Sequence, residues 1–148
     1  MENIQIATEE QKKQVIELLA PYYTMATLRQ GFPRCRPMGL VKLVNGKLYS
    51  GVIPTKSLYR EICDDPHMEF SNCPDGKRWV RVRGLAVWET DPEIIAQMEN
   101  IIKADMEEKF GRKLPDRPSD GHPATQYFYL DQCVAEVHDG ANIQELYI

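Results

Sequence analysis

The sequence predicts a mainly β fold with flanking helices, built on an antiparallel sheet able to close into a barrel. Segments of strand character follow one another through short turns. Asn45-Gly46, between apolar segments, is the strongest short hairpin signal, because a type I′ turn needs positive φ at both central residues. In RWVRVRGLAVWET, Val80 and Val82 alternate with Trp79, Arg81 and Arg83, the period of a strand with one buried face. At least six such segments in a chain of 148 residues suit a barrel with its helices outside.

The elements run in order as follows. Thr8-Glu9-Glu10-Gln11 reads as a capping box, with Val15, Leu18, Leu19 and Tyr22 at helical spacing behind it; this predicts a helix ending near Pro21. Strands are expected over residues 23–28, 34–44 and 47–52, separated by Arg29-Gln30-Gly31 and by Asn45-Gly46. A short helix opens in VIPTKSLYREIC with Thr55 as its cap and stops at Asp65-Pro66. His67 to Cys73 reads as a strand, and the turn Pro74-Asp75-Gly76-Lys77 leads into the alternating stretch above, where Gly84 marks a bulge or bend. Asp91 and Pro92 start a long helix that places Ile94, Ile95, Met98, Ile101, Ile102 and Met106 on one face before Gly111 ends it. A polar, Pro-rich loop over residues 112–123 precedes a last strand over 125–138. The expected organisation is one domain over residues 1–148, with an N-terminal helical segment over 1–21 and a short C-terminal tail over 139–148.

Composition narrows the functional classes. A net charge of −4 provides no basic footprint for nucleic acid. No apolar run approaches the length of a membrane span, and MENIQIATEEQKK lacks the apolar core of a secretory signal, so a cytoplasmic protein is expected. Cys35, Cys63, Cys73 and Cys133 form no CxxC pair and read as small, half-buried hydrophobes. His67, His122 and His138 are scattered, and no metal site is expected.

The residues able to bind a ligand are few. Thr55, Lys56 and Ser57 stand at a helix N-terminus, where free N–H groups and a lysine together suit an oxyanion. On the triad alone a capping Thr beside a solvated lysine has the better support, since no Gly-rich loop accompanies it. Arg34 and Arg36 leave one face of a strand, and Pro37 places that strand at an edge or opening; a solvated pair explains them equally well. Trp79 with Arg81 and Arg83 can flank an aromatic ligand or simply pack a barrel mouth with snorkelling arginines. Trp88 is assigned to the core or an interface, and no paired acid and base or activated nucleophile is evident.

Taken together, MATLRQGFPRCRPMG, NGKLYSGVIPTKSLYREICDDPHMEF, RWVRVRGLAVWETDPE and FYLDQCVAEV resemble the successive strands of the pyridoxamine 5'-phosphate oxidase-like family of FMN-binding split β-barrels. The resemblance spans about residues 22–138. It implies a six- or seven-stranded antiparallel split barrel that binds FMN at the interface of a homodimer. It makes Thr55, Lys56 and Ser57 the expected contacts to the FMN phosphate, and Arg36, Pro37 and Met38 the contacts along the ring and ribityl chain. Trp79 and Arg81 fall on a strand that borders the cofactor in relatives. The chain closes with HDGANIQELYI, without the Trp- and Arg-containing segment of true pyridoxamine 5'-phosphate oxidases, so pyridoxal phosphate synthesis is not expected. The expectation is an FMN-dependent, flavin-reductase-like oxidoreductase acting on an unidentified small molecule. A non-catalytic flavin- or haem-binding sensor or storage protein on the same fold is the alternative.

Overall fold

The computed structural model describes residues 4–113 and 124–148. Its helices start and stop where local chemistry dictates. In α1 (Glu9–Leu19) the Thr8 Oγ1 accepts from the Gln11 amide at 3.1 Å, while Gln11 Oε1 accepts from the Thr8 amide at 2.9 Å. At its far end Asn72 Nδ2 donates to the carbonyls of Leu18 and Leu19, two acceptors the helix itself leaves unpaired. The long helix α3 (Pro92–Phe110) takes Asp91 as its cap and ends at Gly111 in the left-handed region, as its sequence requires. Most of the expected Pro-rich loop lies outside the described residues.

Nine strands are present among the described residues: β1 (Gln5–Ile6), β2 (Tyr23–Arg29), β3 (Phe32–Met38), β4 (Lys42–Val44), β5 (Lys47–Val52), β6 (His67–Asn72), β7 (Arg78–Trp88), β8 (Gln126–Asp139) and β9 (Asn142–Tyr147). They form one sheet in the order β1-β9-β8-β7-β6-β2-β3, with β4 and β5 joined to β8 off that path. Asn45 and Gly46 both have positive φ between paired Val44 and Lys47, as the I′ turn demands. Gln30 and Gly31 do the same between Arg29 and Phe32.

Strand β8 is the fork of the molecule. One edge pairs with β7 from Phe128 to Asp139, broken at one bulge; the other pairs with β5 over Gln126 to Tyr129 and with β9 over Val134 to Asp139. Between the two wings, Gln132 and Cys133 oppose the single residue Gly84, and Gln132 takes a φ of 50°. This is the bulge that Gly84 foretold, and it turns the chain sharply enough for two wings to leave one strand edge.

Three expectations need correction. The tail over 139–148 is a strand: Gly140 and Ala141 close a tight hairpin, and β9 pairs with β8 on one side and in parallel with β1 on the other, making the sheet mixed. The segment 34–44 is two strands, not one. The chain leaves the sheet after Met38, and its Leu40 carbonyl accepts from the Tyr23 and Ser50 hydroxyls in place of a ladder. Finally, among the described residues the sheet is open rather than closed and holds nine strands, not six or seven. Its β3 edge carries Pro33 and Pro37, which remove ladder donors, so no further strand completes the circle there.

Two apolar clusters hold these parts together. The larger fills the concave side, where Val15, Leu18 and Leu19 of α1 and Leu58 and Ile62 of the second helix, α2 (Ser57–Asp64), meet Met25, Phe70, Val80, Val82 and Phe128. Trp88 packs at its margin, 5.1 Å from the Tyr59 ring and 5.7 Å from Phe128. The smaller cluster seats α3, with Met98 buried against Val44, Tyr49 and Tyr127. Met106, expected on the same buried face, is exposed, one turn past Ile102, the last residue of α3 packed against this cluster. The cysteines also depart from expectation: Cys35, Cys63 and Cys73 are exposed. Cys133 alone is buried, and burial pushes its thiol up to about 12.

Candidate functional site

The turn after β5 sets the site. Lys56 donates its amide to the Ile53 carbonyl at 3.0 Å, a tight turn that uses up Pro54 and Thr55 and lets the helix begin only at Ser57. The cap of α2 is therefore Lys56, in an extended conformation (φ −83°, ψ 151°), and not Thr55. A lysine side chain carries no acceptor, so α2 starts without a side-chain cap and without an acidic residue in its first turn. The first N–H groups and the positive end of the helix are left open to an outside anion.

Two cavities meet at Lys56 and Ser57. The larger, about 730 Å³, is walled by Leu28 to Gly31, Thr55, Arg60, Glu61, Asp64 and Asp65. The smaller, about 520 Å³, has Arg34, Arg36 and Met38 on one side, Gly51, Val52 and Ile53 on another, and Lys56, Ser57 and Leu58 closing it. Both lie within the range of small-molecule sites. Their electrostatics differ: the larger mixes cations with three carboxylates, whereas Arg34, Arg36 and Lys56 line the smaller with no carboxylate among the described residues of its walls.

Register explains which predicted residues converge. Arg34, Arg36 and Met38 pair with Thr27, Met25 and Tyr23, whose side chains enter the concave side; the three β3 side chains share that face. Pro37 pairs with exposed Thr24 on the convex face and lines neither cavity. Trp79 and Arg81 alternate with the core residues Val80 and Val82 and so also stand on the convex face. There Trp79 stacks on His138 at 3.8 Å, and the Arg81 guanidinium lies 4.9 Å above the Trp79 ring and near Glu136. Within the chain the structure brings together Arg36, Met38, Lys56 and Ser57, with Thr55 on the adjoining wall. It leaves Pro37, Trp79 and Arg81 elsewhere.

One residue of the site escaped the sequence reading. Glu61 is only 3% exposed, and its Oε1 accepts from Thr27 Oγ1 at 2.8 Å and from Arg36 Nη2 at 2.7 Å, with Arg34 Nε 3.9 Å away. Burial pushes its carboxyl up, but the Thr27 hydroxyl and the two guanidiniums outweigh that, so the net shift is below the ordinary carboxylate value. The available signal was its spacing: Glu61 falls between Leu58 and Ile62 on the apolar stripe of α2, where a carboxylate must find partners.

Fold comparison defines a class: the structural neighbours are pyridoxamine 5'-phosphate oxidase-like, general stress protein 26 and NimC/NimA proteins, the group its strand motifs resemble. A NimC/NimA family protein from Clostridium acetobutylicum superposes with a TM-score of 0.74 at 19% identity, over 92% of this chain and 91% of that one. A protein related to general stress protein 26, of the pyridoxinephosphate oxidase family and from the same organism, gives 0.63 at 13% identity over 93% and 92%. An F420 reductase gives 0.54 at 21% identity over 76% and 88%. A haem-binding protein from Mycobacterium smegmatis gives 0.66 at 16% identity; this chain is covered to 97% but spans only 60% of that one. No family model and no curated protein matches the sequence. Among the described residues no helix is long and apolar enough to cross a membrane.

Proposed function

We propose that the chain is a homodimeric FMN-binding oxidoreductase that uses its flavin to reduce or oxidise a small molecule. The observation that carries this reading is the uncapped start of α2, where Lys56 and Ser57 close a cavity lined by Arg34 and Arg36 and, among the described residues, by no carboxylate. The donor set suits a phosphate: an ammonium, a hydroxyl and free helix N–H groups supply point charge and directed hydrogen bonds. Met38, Leu40, Val52 and Ile53 add apolar walls of the kind a flat ring system needs. The residues present therefore fit FMN, with Lys56 and Ser57 holding the phosphate end, Thr55 on the adjoining wall, and Arg36 and Met38 lying along the rest. When bound, the flavin would supply hydride or electron transfer, while the protein fixes its orientation and access.

Pro37, Trp79 and Arg81 enter this reading only through a second protomer, since each stands on the convex face. The cytoplasm remains the proposed location. A non-catalytic flavin binder shares every residue argument above. The haem reading finds no support in the described histidines, because neither His67 nor His138 lines either cavity.

The absorbance spectrum of the purified protein, followed by FMN titration, tests the proposal. A bound flavin, or saturable uptake of added FMN by a dimer in light scattering, is expected; a colourless protein that takes up no FMN overturns it. Stopped-flow mixing of the loaded protein with NADH or NADPH then separates enzyme from passive binder. Bleaching with turnover supports the oxidoreductase, and a flavin inert to both favours the sensor.

A further inference from the structure

We propose that Glu61 is a positioning residue of the anion site: it holds Arg36 so that the guanidinium presents its free donors to the smaller cavity. The identity of the ligand rests on the flavin reading above, and the role of Glu61 is additional to it.

A carboxylate in the core is poorly explained by stability alone. Replacing a buried ion pair with apolar residues is often neutral or stabilising, and Glu61 sits between Leu58 and Ile62 where an apolar side chain would pack. What the carboxylate adds is direction. Arg36 Nη2 donates to Glu61 Oε1 at 2.7 Å and Nη1 donates to the Met25 carbonyl at 3.3 Å, so the planar group is fixed at both terminal nitrogens. These bonds occupy two of its five N–H donors. Glu61 Oε2, buried and without a hydrogen-bond partner, shows that the pair is end-on rather than a two-oxygen fork. An Arg not engaged as a fork by its carboxylate keeps donors for a phosphate or another oxyanion.

The placement of charge fits the same role. Glu61 lines the larger cavity together with Asp64 and Asp65, where these carboxylates offset Arg29, Lys56 and Arg60, while Arg34, Arg36 and Lys56 line the smaller with no carboxylate among the described residues. An anion is favoured on the side where cations outnumber carboxylates. Glu61 thus fixes the cation and marks the side of α2 on which the phosphate belongs.

A double-mutant cycle read as FMN affinity tests this. Arg36→Ala is expected to weaken FMN binding about tenfold, the scale of a lost charge-assisted hydrogen bond, and Glu61→Ala nearly as much. The double variant is expected to bind no more weakly than Arg36→Ala alone, because Glu61 acts through Arg36. Glu61→Gln keeps an oxygen acceptor for Thr27 and Arg36, so it is expected to restore part of the affinity lost in Glu61→Ala. Where Glu61→Ala does not fold, the cycle of Glu61→Gln with Arg36→Ala reads the same coupling. Wild-type affinity in every folded Glu61 variant, or losses that multiply with that of Arg36→Ala, overturns the positioning role while leaving FMN binding intact. A wild-type protein that binds no FMN overturns the flavin reading and this proposal with it.

Discussion

Replacing Gly84 with alanine puts a methyl group into the fork of the sheet, and the cost can be worked from the geometry. The added Cβ would lie 2.9 Å from Leu130 Cβ and 3.0 Å from the Asp131 carbonyl oxygen, against roughly 3.5–4.0 Å for a comfortable carbon contact. Neither neighbour is the loose end of a side chain. Relief therefore requires β7 and β8 to move apart at the bulge, where Gln132 and Cys133 already oppose one residue. Overpacking of this kind costs about 1–3 kcal/mol. Because Gly84 has no positive φ, alanine also gains about 0.4–1 kcal/mol by restricting the unfolded chain, and the middle of the two ranges leaves a net loss of about 1.3 kcal/mol. For a chain of this size that lowers Tm by about 3–5 °C. Calorimetric melts of the two proteins at one concentration and pH provide the measurement. An unchanged or higher Tm refutes the close packing assigned to Gly84, and with it the account of how the sheet forks.

Three further outcomes are expected. Lys56→Ala should weaken FMN binding at least about tenfold, the scale of a hydrogen bond to a charged group, and flatten its salt dependence; an unchanged titration curve at low salt removes Lys56 from the site. Thr8→Ala should destabilise the protein by about 1 kcal/mol in urea melts, since it deletes one half of the α1 capping box, and a loss near zero means that this end of α1 frays regardless. Glu61 has a folded-state carboxyl held below the ordinary value of 4.5, so the stability it contributes is fully present above that pH and is lost as pH falls through the lowered value. Wild type should therefore exceed Glu61→Gln in Tm at neutral pH, with the gap closing below about pH 4.5; a gap that is constant down to acid pH contradicts the ion pairing.

Much of the fold was legible because it rests on contacts between near neighbours. The capping box at Thr8 and Gln11, Asn45-Gly46, Asp91-Pro92, and the period of Val80 and Val82 each express physics within a few residues. The missed strand β9 shows how the same kind of signal can be passed over. Asp139-Gly140 is a hairpin dipeptide, and Gly140 has the positive φ of such a turn, yet the segment reads as a tail when its pairing with β8 is not considered. At α2 the error was one of register along the chain: Thr55 is the better capping residue, but the turn closed by the Lys56 amide on Ile53 delays the helix by one position.

By itself, then, the sequence determined where α1 and α3 begin, where the Asn45-Gly46 turn falls, which strand faces are apolar, and that Lys56 and Ser57 stand at a helix start. Only the tertiary structure decided that β8 carries two wings on one edge, that the sheet stays open at β3, and that Trp79 and Arg81 stand on the face opposite Arg36. It also decided that Glu61 meets Arg36 across 25 residues of chain. The reason is physical: caps, turns and periodicity are fixed by neighbours a few positions away. The pairing of distant strands and the partner of a buried charge depend on which closure of the chain buries the most apolar surface while leaving each buried ion satisfied.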